Sequence, residues 1–181
     1  MPKYNFAWVD DSFKDFRSQH VRVKLAKSDW EKKGYFNLRK DTFSHEQKIL
    51  SENEKDEKDF RAIPIVAVAS SWSIGDAVVG AVRIYEDLDA EGRKVWYGGR
   101  LCVARHYRGL QSIGKGLINE AVSRAKDLGC TRFLANVQPQ NERYFQSVHW
   151  QTLGQKTIAG LPHVHMMAEL DSYPFMPRDP S

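Results

Sequence analysis

The residues best equipped for chemistry are Arg108, Gly109, Leu110, Gln111, Ser112, Ile113, Gly114, Lys115 and Gly116, between an apolar strand-like run and the clearest helical pattern in the chain. Glycines let the backbone bend and approach a ligand closely. Successive amides and the unpaired N–H groups at a helix start then point at an anion. Arg108 and Lys115 add positive charge, so the chemistry suggested is the holding of a phosphate. Read alone, strand, glycine turn and helix are equally compatible with a tight connection. The segment lacks the Gly-Lys-Ser/Thr ending of a nucleotide-hydrolysing loop and does not match the G-x-G-x-x-G dinucleotide pattern, so both chemistries recede.

Other reactive side chains are less promising. Cys102 and Cys130 fall in or beside apolar strand-like runs with no paired spacing, which reads as two reduced thiols rather than a disulfide or zinc framework. No His or Asn accompanies Cys102 in a recognisable nucleophile pattern. His163 and His165 lie two apart on a candidate strand and so share a face, but no third ligand is placed by sequence, and no metal is expected.

The elements that must position the loop follow from periodicity. Val21, Val23 and Leu25 alternate with charged residues as in a half-buried strand, and Trp30, Tyr35, Phe36, Leu38 and Phe43 follow at helical spacing. The run from Glu52 to Arg61 is nearly all charged and reads as an exposed loop. Ile63 to Ala69, Ala77 to Tyr85 and Val95 to Val103 read as sequential antiparallel strands, the last two joined by the turn-rich Asp87–Gly92. Leu117, Ile118, Ala121, Val122, Ala125 and Leu128 mark a helix over Lys115–Leu128, with Gly129 as its stop. A strand (Thr131–Val137), a short helix (Glu142–Val148) and a closing hairpin (Thr152–Ile158 with His163–Leu170) complete the pattern. Trp72, Trp96 and Trp150 read as core or hairpin aromatics. The expected organisation is an N-terminal arm or short helix over residues 1–20, one domain over 21–170 and a proline-bearing tail over 171–181.

At 181 residues the chain suits one core and one site. Its net charge of +4 is scattered rather than gathered into a basic tract, which argues against nucleic acid as a partner. The amino terminus lacks a signal-peptide pattern and no apolar run is long enough to span a bilayer, so the expectation is a cytoplasmic protein with no membrane partner.

The glycine loop resembles motif A of the GNAT acetyltransferases, in which Arg or Gln, two residues, Gly, one residue and Gly or Ala grip the pyrophosphate of coenzyme A. Gln111 to Gly116 fits that string directly. An alignment starting at Arg108 and Gly109, with one extra residue, sets Ile113, Gly114, Leu117 and Ile118 better against the family's helix and is preferred. Gly99 to Val103 followed by His106, Tyr107 and Arg108 looks like the family's fourth strand entering its cofactor loop. Asn141, Tyr144, Phe145, His149 and Trp150 occupy the place of its Asn, Phe-Tyr and Gly-Phe pattern. Leu38, Arg39, Phe43, Glu46 and Gln47, then Asp56 and Glu57, resemble the first helices of relatives. The likeness spans Val21 to Leu170, and the nearest subgroup is a bacterial one found beside nitrilase genes.

The resemblance implies an α+β GNAT fold, a mixed central sheet with an antiparallel meander and then a parallel pair, flanked by helices. It implies acetyl-CoA as acyl donor and a small-molecule primary amine as acceptor; a homodimer is left open. On that likeness Leu101, Cys102 and Val103 offer backbone amides to the acyl carbonyl and pantetheine, while Arg108, Gly109, Gln111, Ser112, Ile113, Gly114, Lys115, Gly116 and Asn141 hold the cofactor. Glu46 is the candidate general base, and Asp56 or Glu57 a partner for a cationic amine. Tyr144 is the candidate general acid, although it stands one position before the family's tyrosine, where this chain has Phe145. One residue turns a helix side chain by about 100°, so water competes for that role. An acyl-homoserine lactone synthase and an acyl-CoA sensor without turnover are the rival readings.

Overall fold

The computed structural model describes residues 20–47, 54–71, 75–109 and 113–173. The expected arm, apart from His20, therefore lies outside the described residues, as do Trp72, Leu110, Gln111, Ser112 and the tail from residue 174. Among the described residues one sheet of seven strands runs in the order β1-β2-β3-β4-β5-β7-β6. The strands are β1 (His20–Leu25), β2 (Ile63–Ser71), β3 (Gly75–Leu88), β4 (Lys94–Val103), β5 (Phe133–Val137), β6 (Trp150–Ile158) and β7 (Leu161–Ala168). All neighbours pair antiparallel except β4 and β5, which are parallel. This is the expected mixed sheet, with helices packed on it.

α1 (Asp29–Lys40) starts where Glu31 folds back to accept the backbone N–H groups of Lys27 and Ser28 and the ammonium of Lys24. Burial opposes ionisation of Glu31, yet these bonds hold its carboxyl down at about 2. The helix continues as a wider turn over Asp41–Glu46. The expected helix is present and its inward face carries Tyr35, with Phe43 buried in the turn that follows and Phe36 and Leu38 packed against the same cluster. Trp30 is 45% exposed, and the centre is filled by Tyr35 and Arg39.

α2 (Ile113–Asp127) buries Leu117, Ile118, Ala121, Val122 and Ala125 against the other face of the sheet and ends at Gly129, whose φ of +88° suits a glycine stop. It is the crossover that makes β4 and β5 parallel. α3 (Glu142–Ser147) follows β5. Phe133, Phe145 and Trp150 meet edge-on beneath it. Thus α2 and α3 share one core with Trp96, while α1 covers a second cluster around Val66, Val68, Ala81 and Cys102.

Two irregularities set the site. β3 and β4 pair at Ala81↔Cys102 and then at Arg83↔Gly99, so Val82 faces two residues, Arg100 and Leu101. At this bulge Arg100 takes a φ of +53°. Across the other edge, β4 pairs with β5 only at Trp96↔Phe133, Tyr97↔Leu134 and Gly98↔Ala135. Beyond Gly98 the two strands part.

Candidate active site

Two adjoining hollows lie at the fork between β4 and β5. The larger, about 770 Å³, runs from the β4 end over the start of α2 to α3, and Gly109, Gly114, Lys115, Arg108 and Tyr144 line it. The smaller, about 180 Å³, lies in the fork itself. Leu101, Gln138, Asn141 and Phe145 border both, so the hollows adjoin. Cys102, Val103 and Ile113 border the larger one as well.

Most residues singled out by sequence therefore gather in one place. Gly109 has a φ of +73°, which glycine adopts without strain. A Cβ on Gly114 would stand 3.2 Å from the Tyr144 hydroxyl, so the first turn of α2 and Tyr144 face each other across a gap that the missing side chain keeps open. Lys115 is exposed on that turn, and Gly116 lies next to it, with Val23 nearest to its absent side chain. No acidic residue occupies the first turn of α2. Amides and cations converge there without a competing carboxylate from the helix itself.

Of the two basic residues lining the larger hollow, Arg108 has the more defined partners. Its Nε donates to the Val103 carbonyl at 2.9 Å, and its two terminal nitrogens grip the Glu46 carboxylate. That grip holds the Glu46 carboxyl below its ordinary value. Beside it, Gln138 donates to Gln47 at 2.9 Å and accepts from Gln140 at 2.6 Å. The end of the Asp41–Glu46 turn is thereby tied to both banks of the larger hollow. Tyr144 is 43% exposed, and burial of its ring raises the hydroxyl's pKa, so it keeps its proton. Phe145 is buried against Trp150 and faces both hollows. Asn141 caps α3 and borders both hollows.

Cys102 is buried, and burial pushes its thiol up to about 12, which removes it as a nucleophile at neutral pH. Burial likewise pushes Cys130 up to about 11. His163 and His165 have separate partners: Nδ1 of His163 lies 3.0 Å from the Leu161 carbonyl, and Nδ1 of His165 lies 2.9 Å from Asn136 Oδ1. His149 takes a φ of +69° and meets Tyr173 edge-on, with ring centroids 6.4 Å apart.

The charged run needs correction. Residues 54–60 are not a solvated loop: Glu54 is buried, Glu57–Phe60 forms a 3-10 turn, and the carboxylates enter an arginine network. Arg39, with no exposed surface, donates to Glu54 at 2.9 and 3.1 Å, to Asp59 at 2.7 and 3.0 Å and to Tyr35 at 2.7 Å. Arg83 forks onto Asp56 at 2.6 and 2.8 Å and reaches Asp59 at 2.9 Å. Arg100 reaches Glu54 and Asp56 at 3.3 and 3.4 Å. Burial opposes it, but these arginines hold the Asp56 and Asp59 carboxyls below their ordinary values. Asp56 already has its cations, whereas Glu57 is exposed. The network ties α1, residues 54–60, β3 and the β4 bulge together. Sequence reasoning missed it, although a buried-face arginine four residues after Tyr35 and two glycines inside a strand pattern were signals of an ion cluster and a bulge.

Residues 24–147 match the family model described as Acetyltransferase (GNAT) family, and the chain belongs to that family of N-acetyltransferases. It is 29% identical over 152 residues to the Bacillus subtilis (strain 168) protein named Uncharacterized N-acetyltransferase YjcF, covering 82% of this chain and 100% of the relative. Escherichia coli ElaA superposes with a TM-score of 0.66 at 18% identity, over 83% of this chain and 100% of that one. A chain of the NatC complex bound to Gag peptide and CoA superposes with a TM-score of 0.64 at 14% identity, over 83% and 98%. Both structural likenesses show the fold. Among the described residues no helix is long and apolar enough to cross a membrane.

Proposed function

We propose that the chain transfers an acyl group, acetyl in the first instance, from acyl-CoA to a small-molecule primary amine by direct attack. The observation that carries this is the adjacency of the two hollows, with Gly109 and Gly114 lining one and the β4–β5 fork holding the other. In this reading Arg108, Gly109, Ile113, Gly114, Lys115 and Gly116 hold the donor's phosphates, as would Gln111 and Ser112. Asn141 borders the pantetheine arm. The amides of Leu101, Cys102 and Val103, on the strand edge left unpaired beyond Gly98, stabilise the oxyanion. The amine nitrogen attacks the thioester carbon, the C–N bond forms, and the C–S bond breaks. The amine gives up a proton and the departing thiolate takes one.

The geometry supports donor-side roles for both candidate acid–base residues. Glu46, clamped by Arg108, is a weak base until the donor's phosphates draw that guanidinium away. Tyr144 faces the first turn of α2, which supports a hydrogen bond to the donor more than proton delivery to sulfur. Water then protonates the thiolate. We place the chain with the bacterial subgroup found beside nitrilase genes on the likeness that spans Val21 to Leu170.

Calorimetry with CoA and acetyl-CoA tests the donor site, with binding expected; absence of binding to both would refute it. A second reading, a sensor that holds acyl-CoA without turnover, is favoured by Phe145 in the tyrosine position, buried against Trp150. Thiol release from acetyl-CoA with a panel of amines separates the two.

A further inference from the structure

The smaller hollow has an apolar floor. Its floor is made by Val82, Ile118, Ala121, Phe133 and Trp150, on the α2 side of the sheet. These side chains carry a single polar atom, the Trp150 indole N–H, and that one already donates to the Tyr173 hydroxyl at 3.0 Å. The floor thus offers nothing to a water or to an amine. The space exists because Gly98 stands where β4 and β5 part: a Cβ there would come within 3.1 Å of the Phe133 ring. Gln138 and Asn141 border the larger groove as well, and the other polar side chains lining the hollow are engaged elsewhere: Arg100 with Glu54 and Asp56, Asn136 with His165, and His163 with the Leu161 carbonyl.

Apolar walls take apolar guests, and a closed apolar cavity of about 150 Å³ holds a benzene ring. At about 180 Å³ the hollow has room for a comparable number of carbon atoms. An acetyl group supplies one methyl beyond the carbonyl and leaves most of it unfilled. We propose that the hollow is an acyl-chain pocket, so that the protein admits acyl groups of about four to six carbons and holds them more tightly than acetyl. This rests on the reading of the larger hollow as the acyl-CoA site. The acyl carbon sits at the fork, and the chain runs away from the amine towards Ala121 and Phe133.

Each methylene removed from water is worth about fourfold in affinity, so the four that separate hexanoyl from acetyl set a ceiling of roughly 250-fold. Ordering the chain takes back part of this. Calorimetry on the full chain with CoA, acetyl-CoA, butanoyl-CoA and hexanoyl-CoA is the test. Hexanoyl-CoA is expected to bind at least about tenfold more tightly than acetyl-CoA, with butanoyl-CoA between them; a smaller ratio overturns the proposal. Ala121→Leu fills the floor and is expected to collapse the ratio of hexanoyl-CoA to acetyl-CoA affinity towards one. Gly98→Ala, which narrows the hollow from the opposite wall, serves if the first variant does not fold. A ratio that survives in a folded variant overturns the proposal, because the chain then lies elsewhere. CoA itself failing to bind would remove the donor reading and this inference together, whereas CoA binding without a chain-length gain removes the inference alone.

Discussion

Replacing Arg39 by methionine keeps an unbranched side chain in place and deletes the guanidinium at the centre of the buried network. Glu54 then loses two bonds and keeps Arg100 at 3.3 Å; Asp59 also loses two, keeping Arg83 at 2.9 Å and the backbone N–H of Asp56 at 3.0 Å. Breaking a buried ion pair from one side costs about 3–5 kcal/mol. The surviving partners favour the lower end, about 3 kcal/mol, a large share of the roughly 5–15 kcal/mol of a typical domain. The pH dependence has a fixed sign. Burial opposes ionisation of Asp59, but the arginines hold its carboxyl well below its unfolded value of 3.8. Its contribution is therefore complete above that value and is lost as pH falls through the folded value. In the variant the carboxyl titrates higher, and the contribution is already missing at neutral pH. Urea denaturation of both proteins is expected to show the full gap at pH 7 and a narrowing gap below about pH 4. A gap under about 1 kcal/mol at pH 7, or one that does not narrow on acidification, would refute the description of Arg39 as the charge balance of a buried cluster.

Gly114→Glu is expected to abolish CoA binding and leave circular dichroism unchanged, since a carboxylate suits a helix start but repels phosphate; normal binding by a folded variant would mean that the loop is not the phosphate site. Tyr144→Phe is expected to weaken CoA about tenfold or more, as for loss of a hydrogen bond to a charged group, with kcat little changed. A fall in kcat of about 10²-fold to 10⁴-fold would instead make Tyr144 the general acid. Glu46→Gln frees Arg108 and is expected to tighten CoA a few-fold at low salt, an effect that fades as salt is added. A collapse of turnover in the same variant would identify Glu46 as the base. His149→Gly removes a side chain from a backbone at φ +69° and is expected to raise stability by about 1 kcal/mol, read as about 2–4 °C in Tm.

Features that depend only on neighbours along the chain can be read directly from the residues. Alternation from Val21 to Leu25, the helical spacing from Leu117 to Ala125 and the Gly129 stop each express a local period, and the elements follow it. The glycine segment stands out for the same reason: the anion site proposed there, at a helix start, is made from consecutive residues. The tertiary structure alone decided what depends on distant partners. The charged run read as solvated because Arg39, Arg83 and Arg100, which neutralise it, stand outside any local window, and only packing of α1 onto β3 and β4 brings them to Glu54, Asp56 and Asp59. Pairing of Glu46 with Arg108 joins residues 62 apart in the chain and so changes the meaning of both. The turn of Tyr144 towards Gly114 is set by Phe145 docking on Trp150. The acyl pocket belongs to no single segment: it exists because two parallel strands held by α2 separate after Gly98, and a sheet's divergence is a property of its register rather than of any residue read alone.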